Sequence, residues 1–458
     1  MKTIEEIMDA SRDAADIIKD LQQKTISVPA WSVLENEYNK KKHPVYTDGN
    51  YVDTGKVKLT RVGLGWQKLA TKRMGELMFG IPPKRVYKAK NEQEQKAANL
   101  LEGIYRKNRI DSVNIERSKY LYASCEFVTI WYSVLDSLTY GGVQSRLKYR
   151  CKTYSPMKGD ALYPLFDDFG DLIALSVMYG QKVGTDSVQY FEVYTAKEHM
   201  RWRQEGNEWV EDMTREPVNI GKIAGVYAHR DEPIWEQESD NVYEAEWELS
   251  RNGNYIRKNS KPNWVVKCNK EELDKFKREI DTDTTSRNVL LYPRDSEVGF
   301  ETWNQSIESL KFQNEALRQN FFRQLQLPDM SFETMKSLPM SGEARKMMFI
   351  DAQLKVLDEQ GLWLEVLDRE MNVVKAFAKF GTPSLEAAID SLEVEHIITP
   401  YRIEDALEKA QIATTLNGNK PVLSQETTMR RYGDVDDVDE EMKQIQKESA
   451  SALEEVVY

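Results

Sequence analysis

Ser341-Gly342-Glu343-Ala344 opens the stretch whose reading decides the fold. Serine is a favoured helix N-cap, and no proline follows until Pro383. Leu354, Leu357, Leu364, Leu367, Met371 and Val374 recur at helical spacing, so the sequence predicts one very long helix reaching about residue 380. Upstream, 303–327 predicts a second helix. It carries Ile307, Leu310, Leu317 and Phe321 and stops before Pro328, which cannot continue a helix. A loop with Met330, Phe332, Met335, Lys336 and Met340 joins the two. Helices of this length, framed by β structure, imply an elongated molecule of the α+β class.

Working outward, 239–259 is polar and weakly periodic and reads as a helix, although Gly253 inside it costs ~1 kcal/mol relative to alanine. Pro262 ends it. Residues 263–302 form a small β-α-β-like unit. Trp264-Val265-Val266 is its first strand, Asn269 caps a short helix with Glu272 closing a capping box, and strands follow at 289–292 and 298–300. The region 128–230 is β-rich. Its strand candidates are 172–179 and 190–194, with turns at Gly141-Gly142, Gly180 and Gly206-Asn207. Ahead of it lie helices at 3–24, 64–79, 92–107 and from Ser112, then a strand at 127–132. Arg146, Lys148, Arg150 and Lys152 alternate with apolar residues, which puts four bases on one strand face. Such a face can meet phosphate; a solvated face, or pairing with acids of a neighbouring subunit, is the more ordinary use. A strand near 392–398 and two or three helices complete the chain.

The 458 residues carry 63 Lys and Arg against 75 Asp and Glu, a net charge of −12. From Asp434 onward nine acids face two lysines, so that tail holds −7 of the −12. A solvated helix is the simplest reading of the run; its spacing does not make a calcium loop. The first residues are too acidic for a signal peptide, and no apolar run is long enough to span a membrane. Cys125, Cys151 and Cys268 are too few and too scattered for a disulfide framework or a Cys-based zinc site.

Catalytic constellations are missing from the sequence. There is no P-loop, HExxH, GxSxG or CxxC, and Gly63-Leu64-Gly65 lacks the third glycine of a dinucleotide loop. Asp168-Phe169-Gly170 matches a kinase triplet in letters, without the accompanying motifs. His43, His199, His229 and His396 are isolated, and Asp281-Thr282-Asp283 reads as an exposed turn. The expectation is a non-enzyme with no cofactor and no metal.

The order of elements resembles the portal proteins of tailed bacteriophages, in the subgroup typical of siphophages infecting Gram-positive hosts. Three stretches carry the likeness: the helix closing at Phe79-Gly80-Ile81-Pro82, the Ser-Gly-Glu-Ala start of the long helix, and the ending from Leu423-Ser424-Gln425-Glu426-Thr427 through Asp436-Asp437-Val438-Asp439-Glu440-Glu441 to Ile445 and Glu448. The resemblance implies a ring, usually of twelve subunits, at one capsid vertex of the virion, assembled in the host cytoplasm. It assigns 1–238 to an N-terminal arm and β-rich wing, 239–262 and 303–327 to a two-helix stem, and 263–302 to an α/β clip. It makes 328–341 a tunnel loop, 342–399 the long helix and the rest of the wing, and 400–458 a helical crown.

The same resemblance implies double-stranded DNA, passed through without regard to sequence, as cargo. It implies the large terminase and a head-completion or adaptor protein as clip partners, major capsid and scaffold proteins as neighbours, and no membrane. The candidate channel residues are then Met330, Phe332, Met335, Lys336 and Met340. They either touch the passing duplex or pack between neighbouring loops. The candidate docking residues are Lys270, Glu271, Glu272, Lys275, Lys277, Arg278 and Glu279. Two rival classes remain: a metal-dependent nucleic-acid enzyme, whose carboxylates would have to converge in space, and a helical scaffold or adaptor protein.

Overall fold

Trp363, in the middle of the long helix, shows how the main body is built. Its indole is buried against Phe79 at 4.7 Å, stacked on Phe127 at 5.7 Å, and donates from Nε1 to the Tyr122 hydroxyl at 2.9 Å. One side chain thus ties the helices Trp66–Phe79, Ile110–Ser124 and Ile350–Gly381 to the strand Glu126–Val134. The computed structural model describes residues 3–53, 58–184, 186–259, 264–269, 289–293, 307–327, 350–401, 406–417, 421–433 and 438–455. The chain divides into two units, Met1–Asp329 with Asp351–Tyr401, and Met330–Ile350 with Arg402–Tyr458.

In the first unit, an antiparallel five-stranded meander runs in the order Glu208–Pro217, Glu198–Glu205, Asp186–Thr195, Leu172–Val183, Ala161–Phe166. One of its faces presents Leu165, Ala174, Phe191, Val193, Met200 and Trp202 to Ile7, Met8, Ile17, Ile18 and Leu21 of the N-terminal helices. The opposite face carries Tyr179, Glu192, Tyr194 and Arg201, toward a three-stranded antiparallel sheet of Gly225–His229, Glu126–Val134 and Lys148–Tyr154. Strand Lys84–Tyr87 pairs antiparallel with Val394–Ile397, so the end of this unit closes on its beginning. Trp264–Cys268 and Val289–Pro293 pair in parallel, as a β-α-β crossover demands. In the second unit, helices Ala406–Leu416, Gln425–Tyr432 and Val438–Glu455 are described.

Several expectations shift. The N-terminal helix of 3–24 is two helices, Ile4–Ile7 and Ala14–Leu21. Asp9 breaks it, because its carboxylate accepts from the Ser11 N–H at 2.9 Å and offers the backbone an alternative to the helix. Gly180 is not a turn. It pairs with Gln189 inside a hairpin, and the reversal falls beyond Val183, at Gly184 with φ +65°. The seam of the long helix is rotated. Leu367, Met371 and Val374 are buried, but Leu354 and Leu357 are exposed, and Ala352, Val356 and Trp363 take the inner face. Cys125 and Cys151 are free thiols.

Candidate functional site

The two helices that flank the parallel strand pair, Ser239–Asn259 and Ile307–Gln324, pack against each other. Their bases are fixed firmly. Phe321 and Phe322 are buried against Trp66 at 5.7 and 6.3 Å, and the Arg73 guanidinium lies 4.7 Å over the Phe322 ring. Farther along, the burial fades. Leu310 and Leu317 are half-buried, and Phe312 is 77% exposed. The charges of the pair nearly cancel: Asp240, Glu244, Glu246, Glu248, Glu308 and Glu315 stand against Arg251, Arg257, Lys258, Lys311, Arg318 and Arg323.

An extended strap, residues 58–64, runs along Ser239–Asn259 and is pinned at regular intervals. The N–H groups of Thr60, Val62 and Leu64 donate to Asn254 Oδ1 at 2.6 Å, Ser250 Oγ at 2.9 Å and Glu246 Oε1 at 2.6 Å. Every second strap residue meets every fourth helix residue. The match is geometric: two extended residues span ~6.6 Å and four helical residues ~6 Å. Gly253 lies where the strap crosses most closely, since a Cβ there would come 2.7 Å from Thr60 Cγ2. The helix therefore runs through Gly253, and close approach of the strap is what the glycine permits. Tyr51 packs edge-on to Trp247 at 5.0 Å and accepts from Asn254 Nδ2, while Arg257 donates to the Lys58 carbonyl at 2.7 Å.

His43 locks the upper end. Its Nε2 faces the Glu37 carbonyl at 2.8 Å and its Nδ1 faces Glu246 Oε1 at 2.7 Å, with the ring and the carboxylate fully buried. Oε1 also takes the Leu64 N–H, so the ring and the strap converge on one carboxylate oxygen. Glu246 Oε2 has no hydrogen-bond partner among the described residues. Glu37 closes the helix start, accepting from Trp235 Nε1 at 2.6 Å and Ser239 Oγ at 2.9 Å. The first turn of a helix offers free N–H groups and a favourable dipole for an acid.

A second polar lock sits deeper. Arg117 makes a bidentate pair with Glu370 of the long helix at 2.6 and 2.9 Å, and Trp131 Nε1 donates to the same carboxylate at 2.8 Å. Arg117 and Glu370 are each 1% exposed. Burial opposes the charge on Arg117, and Glu370 more than restores it, so the pKa is raised. Sequence reading missed this pair because 253 residues separate its members.

The arrangement is architectural. Among the described residues no cluster of three His, Cys, Asp or Glu side chains is placed to hold a metal, and no helix is long and apolar enough to cross a membrane. The four bases of the strand face are dispersed. Lys148 pairs with Asp136 at 3.1 Å, Arg146 donates to the Phe380 carbonyl, and Lys152 turns toward two tyrosines. The residues expected in the channel (Met330, Phe332, Met335, Lys336, Met340) and at the docking surface (Lys270, Glu271, Glu272, Lys275, Lys277, Arg278, Glu279) lie outside the described residues. So do the strand expected at 298–300 and the start of the long helix.

A family model described as "Phage portal protein, SPP1 Gp6-like" matches residues 20–455. The chain belongs to the SPP1 Gp6-like phage portal protein family. Portal proteins of this family are structural, not catalytic. Among solved structures, the chain is similar to a protein of the neck of the native gene transfer agent (GTA) particle computed with C12 symmetry, at 11% identity and TM-score 0.38 over 90% of this chain and 95% of that one. It is also similar to a chain from the virion of the native gene transfer agent particle, at 11% identity and TM-score 0.38, over 91% and 98%. A third is from the neck of the empty particle computed with C6 symmetry, at 11% and 0.39 over 93% and 99%. At these values the likeness places no individual residue. No curated protein matches the chain.

Proposed function

We propose that the chain is the portal subunit of a tailed phage, one of about twelve in a ring at the capsid vertex. The ring conducts double-stranded DNA inward during packaging and outward during ejection. The assignments are those of the sequence reading: wing 1–238 and 342–399, stem 239–262 and 303–327, clip 263–302, tunnel loop 328–341, crown 400–458. The family match over residues 20–455 carries the proposal. The strapped helix pair supports the stem assignment. It is anchored at its base, is nearly neutral, and has apolar residues left half-covered where a neighbour would pack.

Neutrality suits a conduit. Phosphate attraction is strong and salt-dependent, so a wall rich in unpaired bases would hold DNA that must slide. The acidic run after Asp434, repeated around a crown, would give a repulsive rim facing packaged DNA. Light scattering tests the ring, with a mass of ~640 kDa expected for twelve chains and annuli expected in negative stain. A closed dimer would overturn the reading. At the clip, reversing Lys275, Lys277 and Arg278 to Glu is expected to abolish terminase-driven packaging while rings still form. Lys336→Glu is expected to change packaged DNA length or yield, and unchanged packaging would remove the tunnel-loop contact.

A further inference from the structure

A cavity of about 450 Å³ opens between the outer face of the five-stranded sheet, the three-stranded sheet and the end of the long helix. Tyr132, Tyr154, Tyr179 and Phe380 give it aromatic walls, and Tyr132 and Phe380 stay exposed at its mouth. Its charges are unevenly used. Arg201 is held by Asp212 at 2.6 Å and reaches Glu192 at 3.6 Å, and Tyr194 donates to Glu192 at 3.0 Å. Glu216 also lines the cavity. Lys152 differs from the rest. Its ammonium lies 4.3 Å from the centroids of both Tyr154 and Tyr179, and among the described residues it makes no ion pair within 4 Å. Glu192 and Asp160 act on it electrostatically without closing an ion pair, so a cation poised over two ring faces can still take an acid with an apolar neighbour.

The chain displays a ligand of that chemistry. The hairpin turn Asp167-Asp168-Phe169-Gly170-Asp171 holds Phe169 at 94% exposure. The turn is internally braced. Asp167 Oδ1 accepts from the N–H groups of Phe169 at 2.9 Å and Asp171 at 2.8 Å, the Gly170 N–H reaches the Asp167 carbonyl at 3.1 Å, and Gly170 sits at φ +87°. A fully exposed phenylalanine held by a rigid turn loses little freedom on docking, and exposed Asp168 sits beside it. A ring is built from heterologous contacts, so a knob on one side of a subunit meets a different surface of its neighbour.

We propose that Phe169 of each subunit inserts between Tyr132, Tyr154, Tyr179 and Phe380 of the next, with Asp168 pairing to Lys152. This rests on the portal reading and names one of its ring contacts. The experiment replaces Phe169 by photoreactive benzoylphenylalanine in the full chain and maps the cross-links in assembled rings. Cross-links are expected in the neighbour's peptides around Tyr154 and Tyr179. Cross-links elsewhere in the ring, or to a different protein, overturn the proposal. In parallel, Lys152→Glu and Asp168→Lys are each expected to lower the fraction of chain in rings at least fivefold, and the double exchange to restore most of it. A double exchange no better than the single variants overturns the pairing. If the unmodified chain forms no ring by mass, the portal reading fails and this contact with it; rings whose cross-links fall elsewhere remove this contact alone.

Discussion

Two buried carboxylates in the first unit are held in opposite ways. Glu370 meets Arg117 in a bidentate pair and also takes the Trp131 N–H, so both of its oxygens are occupied. Glu246 gathers the His43 ring and the Leu64 N–H on one oxygen and leaves the other without a partner. Arginine's planar fork matches both oxygens of a carboxylate, whereas the His43 ring engages a single oxygen. Glu370 therefore fixes the junction of helix, strand and long helix once and for all. Glu246 ties strap and helix through one oxygen, a joint expected to open before the core unfolds.

Breaking the Arg117–Glu370 lock is expected to cost most. Arg117→Met leaves Glu370 buried without its cation, a loss of about 3–5 kcal/mol in urea unfolding. The double variant Arg117→Met with Glu370→Leu removes the stranded charge and should recover much of that loss. If the double variant is no more stable than the single, the pair is not what holds this junction.

Glu192 shows what happens when arginine and histidine both stand near a carboxylate. His199 Nε2 is 3.8 Å from Glu192 Oε1, yet burial first and the Arg201 charge second lower the His199 pKa to about 4. The proximity of Glu192 does not offset the burial. Between the ordinary value of about 6.5 and about 4, the unfolded chain binds a proton here that the folded chain refuses. Stability from this group is complete above about pH 6.5 and falls as the pH drops toward 4, by up to about 3 kcal/mol. Glu192 works in reverse, because burial raises its pKa and its protonation favours the folded state as the pH falls. His199→Gln isolates the histidine: its unfolding free energy should vary less with pH over this window than that of the parent. Parallel profiles would show that His199 is protonated in the fold.

Opening the Glu246 lock is expected to have a smaller, local effect. Glu246→Ala strands the part-buried Leu64 N–H and the buried His43 ring, a cost of about 1–3 kcal/mol. Amide exchange at Thr60, Val62 and Leu64 should accelerate together, while exchange around Trp363 stays slow. Equal acceleration in both places would erase the distinction between joint and core.

These pairs mark where the sequence stops being legible. Stop and turn signals placed a helix at 64–79 and strands at 172–179 and 190–194, which the fold extends or trims to Trp66–Phe79, Leu172–Val183 and Asp186–Thr195, because glycine and proline mark element ends more sharply than interiors. Periodicity misjudged Leu354 and Leu357, since an exposed apolar residue leaves the same imprint as one in the core. Glu37, Glu246 and Glu370 carry no signal in the sequence, because a buried acid differs from an exposed one only by partners far along the chain. The motif letters around Phe169 were visible, but the turn geometry that exposes it was not.

Gly253 tests the strap most finely. In an isolated helix, alanine would be preferred to glycine by about 1 kcal/mol. Here the added methyl meets Thr60 Cγ2 at 2.7 Å, a clash with a short side chain whose backbone N–H is fixed on Asn254. Gly253→Ala is therefore expected to forfeit its helix gain and destabilise by about 0.5–1 kcal/mol. Thr60→Ala removes the colliding methyl, so Gly253→Ala should become neutral or stabilising in that background, a coupling of about 1 kcal/mol. Additive effects in the two backgrounds would mean that the strap stands off the helix, and that the glycine serves some purpose other than its approach.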